Sequence, residues 1–121
     1  MTGATIQKNT FIDNTIAIEL YLVNGATIDS NVLVRVVNGV MMYGSDNLIV
    51  ANTIDAEFGL FIYGDRNVVT KNSITVTLTG VSIGGYENVI SKNKIIGAQT
   101  PIDVYEGTCL ITGNKVVVKG K

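Results

Sequence analysis

Histidine is absent from the 121 residues of this sequence, and cysteine occurs only once, at Cys109. Without histidine, the chain lacks the side chain that most often serves as a general base and as a metal ligand. A single cysteine excludes an intrachain disulfide framework. No apolar run approaches the about 20 residues that a membrane-spanning helix needs. The apolar residues, 46% of the chain, are therefore expected in a core or an interface.

Charge of one sign is not in excess either. Nine Lys and Arg residues against ten Asp and Glu residues give a net charge of −1 at pH 7. Strong binding to nucleic acid or to an anionic membrane depends on a positive field. Neither nucleic acid nor a membrane is therefore expected as a partner. The length favours one domain, residues 1–121.

An internal repeat of 20–22 residues runs through the whole chain. Its clearest mark is a recurrent asparagine, whose copies are 22, 21, 20, 21 and 21 residues apart by subtraction of their positions. These copies are Asn9, Asn31, Asn52, Asn72, Asn93 and Asn114. A branched aliphatic residue precedes each asparagine by three positions, and another apolar residue follows it by two. A third segment alternates apolar and other residues, as at Ile18 and Leu20.

This repeat predicts an all-β fold. Alternation with period two is typical of strands, and a coil of three short strands uses about 21 residues. Stacked coils pair each strand in parallel with its counterpart one coil away, so inward positions form columns of like residues. We therefore expect a single-stranded, right-handed parallel β-helix of six coils, with handedness taken from the general crossover preference. The recurrent asparagines are expected to point inward as a ladder that satisfies turn backbone groups.

Glycines recur at both ends of the third segment. Gly39, Gly59 and Gly80 open it in three consecutive repeats, and we expect a positive φ there. Gly44 and Gly64, with Gly85 in the next repeat, close the segment at the following turn.

The stretches from Gly39 to Ile54 and from Gly59 to Ile74 share the pattern G-[VL]-x-[MI]-Y-G-x-x-N-x-[IV]-x-x-N-x-I. This pattern resembles the coils of the pectate-lyase-like superfamily of right-handed parallel β-helices. That group includes pectate lyases, polygalacturonases, alginate lyases, epimerases and bacteriophage tailspike and appendage proteins. The resemblance covers nearly the whole chain, and the chain is most like a tailspike or appendage segment.

The resemblance implies that an active site, if present, would use carboxylates on the outer surface of neighbouring coils. The outward acids Glu19 and Asp103 lie four coils apart, about 19 Å at strand spacing, and cannot act together. The polygalacturonase-like segments Asn-Thr-Asp, Gly-His-Gly and Arg-Ile-Lys are missing. Asp55 and Glu57, close together on one turn, are weak catalytic candidates. A salt bridge from Arg35 to either of them is the structural alternative.

Asp46, Arg66 and Glu87 occupy one position in consecutive repeats, just before an outer asparagine column. Stacked coils would make them a ladder of alternating charge. A calcium site formed by Asp46, Glu87 and the nearby Asp65 is the alternative. Cys109 stands in a column otherwise held by Ala or Asn and is interpreted as a small packed residue. No cofactor and no metal are expected.

The outward side of the third segment carries a connected apolar strip, which we call the aromatic strip. Its residues are Tyr21, Met41, Tyr43, Phe61, Tyr63 and Tyr105. An exposed apolar area of this size marks an interaction surface. Two interpretations remain open. The tyrosines could lie under the sugar rings of a polysaccharide, or parallel copies of the chain could pack this strip around a threefold axis as a homotrimer.

These patterns predict a structural, receptor-binding β-helix segment of a phage tailspike or cell-surface fibre. Such a segment would be extracellular or virion-associated, trimeric, and would present a surface to host polysaccharide. Its coils begin near Met1 without a capping helix, so we expect a segment of a longer shaft or assembly. A polysaccharide lyase, hydrolase or epimerase of the same fold is one alternative, and a monomeric carbohydrate-binding module is another.

Overall fold

The computed structural model describes residues 3–118, which form twelve strands and no helix. The strands are β1 (Thr5–Gln7), β2 (Thr10–Ile12), β3 (Ile16–Tyr21), β4 (Thr27–Asp29), β5 (Val32–Tyr43), β6 (Leu48–Val50), β7 (Thr53–Tyr63), β8 (Val68–Thr70), β9 (Ser73–Ser91), β10 (Lys94–Ile96), β11 (Thr100–Thr112) and β12 (Lys115–Val117). Every strand pairing in this range is parallel. No helix able to cross a membrane occurs within these residues.

The strands wind into a β-helix with three faces. The first face contains β1, β4, β6, β8 and the last residues of β9 and β11. The second contains β2, β10, β12 and the first residues of β5, β7 and β9. The third contains β3 and the remaining parts of β5, β7, β9 and β11. Long strands therefore bend from one face to the next without leaving the ladder.

The predicted parallel β-helix is confirmed, but the number of coils is slightly smaller than predicted. The first two faces have six strands each, whereas the third has five, so residues 3–118 form five complete turns and part of a sixth. The reason is that the sixth repeat supplies only the end of β11 and β12 to the described chain.

The core is a set of apolar columns inside the coils. On the first face, Ile28, Ile49, Val69 and Ile90 are stacked in register and have no exposed surface. Burial of each such side chain contributes about 1.5–3 kcal/mol relative to exposure. The repeat of branched residues therefore follows from one packing requirement that is imposed again at every coil.

The expected positive φ at Gly39, Gly59 and Gly80 is wrong, because none of the three adopts it. Glycine is needed there for a different reason, which is the close approach of neighbouring coils. A Cβ atom on Gly59 would lie 2.5 Å from the carbonyl oxygen of Gly80. Gly85, at the following turn, does have a positive φ of 112°.

Candidate functional site

The recurrent asparagines form a hydrogen-bonded column inside the coils. Asn52 illustrates the pattern: its Oδ1 accepts from the backbone N–H of Asn31 at 2.9 Å and from Asn31 Nδ2 at 3.0 Å. Its own Nδ2 donates to the Ile28 carbonyl and to Asn72 Oδ1, both at 3.0 Å. Among the described residues, no buried side-chain polar atom is left without a partner. The column therefore bonds turn backbone groups that the strand ladders leave unpaired.

A second asparagine column lies inside the coils at the turn before the first face. Asn47, Asn67 and Asn88 are at most 1% exposed, so the description of this column as outer is wrong. Asn67 accepts from the Asn47 N–H at 3.0 Å and donates to the Gly44 carbonyl at 3.0 Å. The signal was present in the sequence, because the same polar residue recurs in three consecutive coils two positions before a core residue.

The charged residues pair differently from the prediction. Arg35 binds Asp13 in the preceding coil at 2.9 Å, so the expected bridge to Asp55 or Glu57 is not formed. The physical reason is a register shift: β5 has one residue more than β7 at this bend, and Arg35 lies in the resulting bulge. Asp13 also raises the pKa of the Arg35 guanidinium through this hydrogen bond.

The predicted charge ladder is formed only in part. Arg66 Nε donates to Asp46 at 2.7 Å, and this bond lowers the pKa of the Asp46 carboxyl. Glu87 makes no ion pair within residues 3–118, although its charge contributes to raising the pKa of Arg66. The pair at Asp46 is exposed, so solvent screens it and it contributes little to stability.

The aromatic strip is assembled on the third face as a stack of rings. The Tyr21 and Tyr43 rings are 4.7 Å apart and nearly parallel, and Tyr43 is 5.7 Å from Phe61. Phe61 and Tyr63 are 5.6 and 6.3 Å from the Tyr105 ring. The Tyr43 and Phe61 rings are tilted by 55°, and Tyr21, at one end of the stack, remains 61% exposed, so the rings cover one another only in part.

Tyr105 continues the stack across a position that has no side chain. Glu106, rather than Tyr105, is paired with Gly84, because β11 bulges at this point. The Tyr105 ring therefore covers Gly84, where a Cβ atom would lie 2.6 Å from Cε1 of the ring. The Tyr105 hydroxyl donates to the Ile62 carbonyl at 3.3 Å. Burial is the main cause that raises the pKa of Tyr105 to about 12.

Two grooves flank the stacked rings. Groove one, about 220 Å³, is lined chiefly by apolar side chains. It includes Asn38, Met41, Phe58, Phe61, Ser82 and Asp103. Asp103 is its only charged lining residue among those described, and its carboxylate makes no hydrogen bond or ion pair with residues 3–118.

Groove two, about 510 Å³, lies over the turn that follows the third face. Its lining includes Tyr43, Ser45, Tyr63, Asp65, Tyr86 and Glu106. Asp65 accepts from the Tyr86 backbone N–H at 2.8 Å, and Glu106 accepts from the Tyr63 hydroxyl at 3.2 Å. Asp65 and Glu106 are the charged lining residues of groove two, so both grooves carry acids and no base among the residues described.

Phe58 and Tyr86 are functional candidates that the sequence analysis missed. Phe58 is 40% exposed in groove one, and Tyr86 is 55% exposed in groove two. Neither ring stacks on another aromatic ring in the described part of the chain. Phe58 and Tyr86 therefore each offer an exposed ring that no other aromatic ring of the described chain covers. Both were overlooked because they lie outside the columns of the aromatic strip.

The other sequence candidates lie outside these grooves. Asp55 and Glu57 are exposed on β7 and line neither groove. Cys109 is half-buried at the turn before the first face, in register with Asn88, and burial raises the pKa of its thiol. Met41 faces outward, whereas the adjacent Met42 is fully buried in the core. Within residues 3–118, no three Asp, Glu, Cys or His side chains are grouped as metal ligands.

Comparison with known proteins identifies a family. The family described as "Periplasmic copper-binding protein (NosD)" matches residues 2–117. No match was found among curated proteins or among solved structures. The match agrees with the predicted parallel β-helix superfamily and with a location outside the cytoplasm, and it is not specific for phage tailspikes. Because it covers nearly the whole chain, this chain belongs to the NosD family.

Proposed function

We propose that this chain is a rigid, non-catalytic β-helix of an extracytoplasmic protein and that its third face binds a polysaccharide. The observation that carries the proposal is the pair of aromatic-lined grooves beside the ring stack. Each groove offers one unstacked ring, Phe58 or Tyr86, together with carboxylate acceptors. Flat amphipathic rings beside hydrogen-bonding groups are common in sugar-binding sites. A tailspike or cell-surface fibre is one setting for such a surface.

The charge of the third face favours a polysaccharide over a homotrimer. Packing this face around a threefold axis would bring Glu19, Asp103 and Glu106 close to the same acids of two other copies. Neither groove has a lysine or arginine among its described lining residues to balance them. Like charges placed together across an interface cost several kcal/mol. A sugar chain covers the same rings without that repulsion.

The positions of the carboxylates favour binding over hydrolysis. A glycoside hydrolase places one protonated acid and one carboxylate on opposite sides of the scissile bond. Groove one has Asp103 as its single acid among the described lining residues. In groove two, Asp65 and Glu106 both act as hydrogen-bond acceptors, from Tyr86 and Tyr63.

The copper named in the family description does not fit the donors of this chain. Copper(II) is held chiefly by imidazole, and copper(I) by thiolate and thioether. The sequence has no histidine. Within residues 3–118 its soft donors are dispersed, with Cys109 at the turn before the first face, Met41 outside the third face and Met42 inside the core. We therefore assign no copper chemistry to this chain.

Affinity electrophoresis through gels that contain single polysaccharides tests the proposed function. We expect at least one polysaccharide to retard the chain, and Phe58→Ala or Tyr86→Ala to weaken that binding about tenfold, as for one central aromatic contact. Ile12→Ala, a similarly exposed change on the second face, is the control and is expected to bind normally. Equal binding by all variants would contradict the proposal.

Light scattering after size exclusion tests whether other copies of the chain, rather than a polysaccharide, cover this face. A monomer that binds polysaccharide supports the proposal. A trimer that dissociates when Phe58 or Tyr86 is replaced by alanine would show that copies of the chain cover the face, and would overturn it.

A further inference from the structure

Both grooves are acidic, although the whole chain is almost neutral. Asp103 lines groove one, and Asp65 and Glu106 line groove two. The overall charge is only −1, so this acidity comes from separation of the charges rather than from an excess of acids. Glu19, which is stacked in register with Met41, adds a fourth carboxylate on the same face.

The basic residues of the described chain lie elsewhere. Lys8, Lys71 and Lys92 precede the ladder asparagines in the turns between the first and second faces. Lys94 and Lys115 begin strands of the second face.

The two arginines are already paired with acids. Arg35 is bound to Asp13 at the bulge of β5, which is away from both grooves. Arg66 is the nearest base to groove two, since its charge interacts with Asp65, but its guanidinium is held by Asp46. No base is thus available to receive the carboxylates of a polyuronate in either groove of the described structure.

Resting on the proposed polysaccharide-binding function, we propose that the ligand is an amino sugar polymer with free amino groups, and that Asp103 is a specificity-determining residue. Asp103 is the suitable partner because its carboxylate has no hydrogen bond or ion pair in residues 3–118 and lines the same groove as the unstacked ring of Phe58. A sugar polymer that lies on Phe58 along groove one also passes Asp103, whose carboxylate can receive an ammonium group. A polyuronate would instead place carboxylates beside Asp103, Asp65 and Glu106.

Three hexasaccharides test this inference by calorimetric titration at about pH 6, where sugar amines are protonated and Asp and Glu are ionised. The probes are the glucosamine hexamer, its fully N-acetylated form, and the galacturonate hexamer. We expect the glucosamine hexamer to bind most tightly, and its advantage over the acetylated form to shrink in high salt. Asp103→Asn is expected to weaken binding of the glucosamine hexamer about two- to fivefold, the value of one exposed charge pair, and to leave the acetylated form unchanged.

The matched control is Asp29→Asn, which removes a carboxylate from the first face and should leave all three affinities unchanged. Circular dichroism verifies that each variant is folded. If galacturonate binds as tightly as glucosamine and Phe58→Ala weakens both, the inference is wrong while the proposed function stands. If glucosamine is preferred but Asp103→Asn changes nothing, the role of Asp103 is wrong. If the chain binds neither these hexamers nor any polysaccharide in the gels, the proposed function fails as well.

Discussion

The two sides of the third-face strands differ in how strictly their residues repeat. The inward column reads Ile18, Val40, Leu60, Val81 and Ile102, all branched aliphatics. The outward column beside it reads Glu19, Met41, Phe61, Ser82 and Asp103, five different residue types. Inward residues must all fill the same cross-section at native packing density. Outward residues meet only solvent or a ligand, so their variation is where function is encoded.

The asparagine ladder and the ring stack show the same contrast. Between its ends the asparagine ladder is buried, and Asn31, Asn52, Asn72 and Asn93 repeat the same bonds. The ring stack is exposed and is interrupted at Gly84, where Tyr105 folds back to bridge the gap. A buried polar ladder must be complete because a missing member leaves unsatisfied groups. An exposed stack can be interrupted because water solvates whatever is uncovered.

The largest expected effect is that of Asn52→Leu. This change removes partners from the Asn31 N–H and from the Ile28 carbonyl, both inside the stack. Leaving these buried groups unpaired should lower the free energy of unfolding by about 3–5 kcal/mol. Asn9→Leu, in the same column but exposed at its end, should cost less than about 1 kcal/mol. Urea unfolding measures both changes. Equal losses of unfolding free energy in the two variants would contradict the difference between buried and exposed ladder positions.

A smaller effect is expected for Gly84→Ala on the outward stack. The new Cβ would contact the Tyr105 ring and displace it, at a cost of about 1–2 kcal/mol in the free energy of unfolding. Exposed again, the Tyr105 phenol should have a pKa that falls from about 12 towards its ordinary value of 10.0. Spectrophotometric titration of the tyrosines measures the change. In Tyr105→Phe, the control, the ionisation step near pH 12 should be missing altogether.

The same pKa determines how stability depends on alkaline pH. The pKa of Tyr105 is higher in the folded than in the unfolded chain. The contribution of the neutral phenol to the free energy of unfolding is therefore complete below pH 10 and is lost as the pH rises to about 12. Gly84→Ala should lose less stability than the parent chain over this interval. An unchanged alkaline transition in Gly84→Ala would show that Tyr105 was not buried by the stack.

Arg35→Met should have a still smaller effect. It breaks one exposed ion pair with Asp13, so the free energy of unfolding should fall only slightly, and high salt should remove the difference. Lys115→Met is the control, since Lys115 makes no ion pair within residues 3–118. A loss as large as that of Asn52→Leu would mean that the bulge of β5 depends on this pair.

The smallest expected effect is that of copper. Binding in excess ligand stabilises a folded protein, by about 2.7 kcal/mol at one hundred times Kd. Because no donor set fits among residues 3–118, neither copper(I) nor copper(II) should raise the midpoint of thermal unfolding. A rise that disappears in Cys109→Ser would identify Cys109 as a ligand and contradict this expectation.

The fold could be predicted because its cause is local and repeated. Asn and branched aliphatic residues recur every 20–22 positions, and few folds other than a stack of coils have such a repeat. The candidate site could be predicted only in part. The aromatic strip was recognised because its members occupy fixed positions in the repeat. Phe58 and Tyr86 could be recognised only from the grooves that the structure shows.

The sequence by itself determined which strand residues face inward, because strand alternation and coil length are properties of the chain alone. At the turn before the first face, only the structure showed that the second asparagine column faces inward. Tertiary structure decided how neighbouring coils meet. One extra residue in β5 turned Arg35 towards Asp13, and one bulge in β11 laid Tyr105 over Gly84. Such register shifts arise from the fit between adjacent coils of unequal length, and they determined which side chains remained open to a ligand.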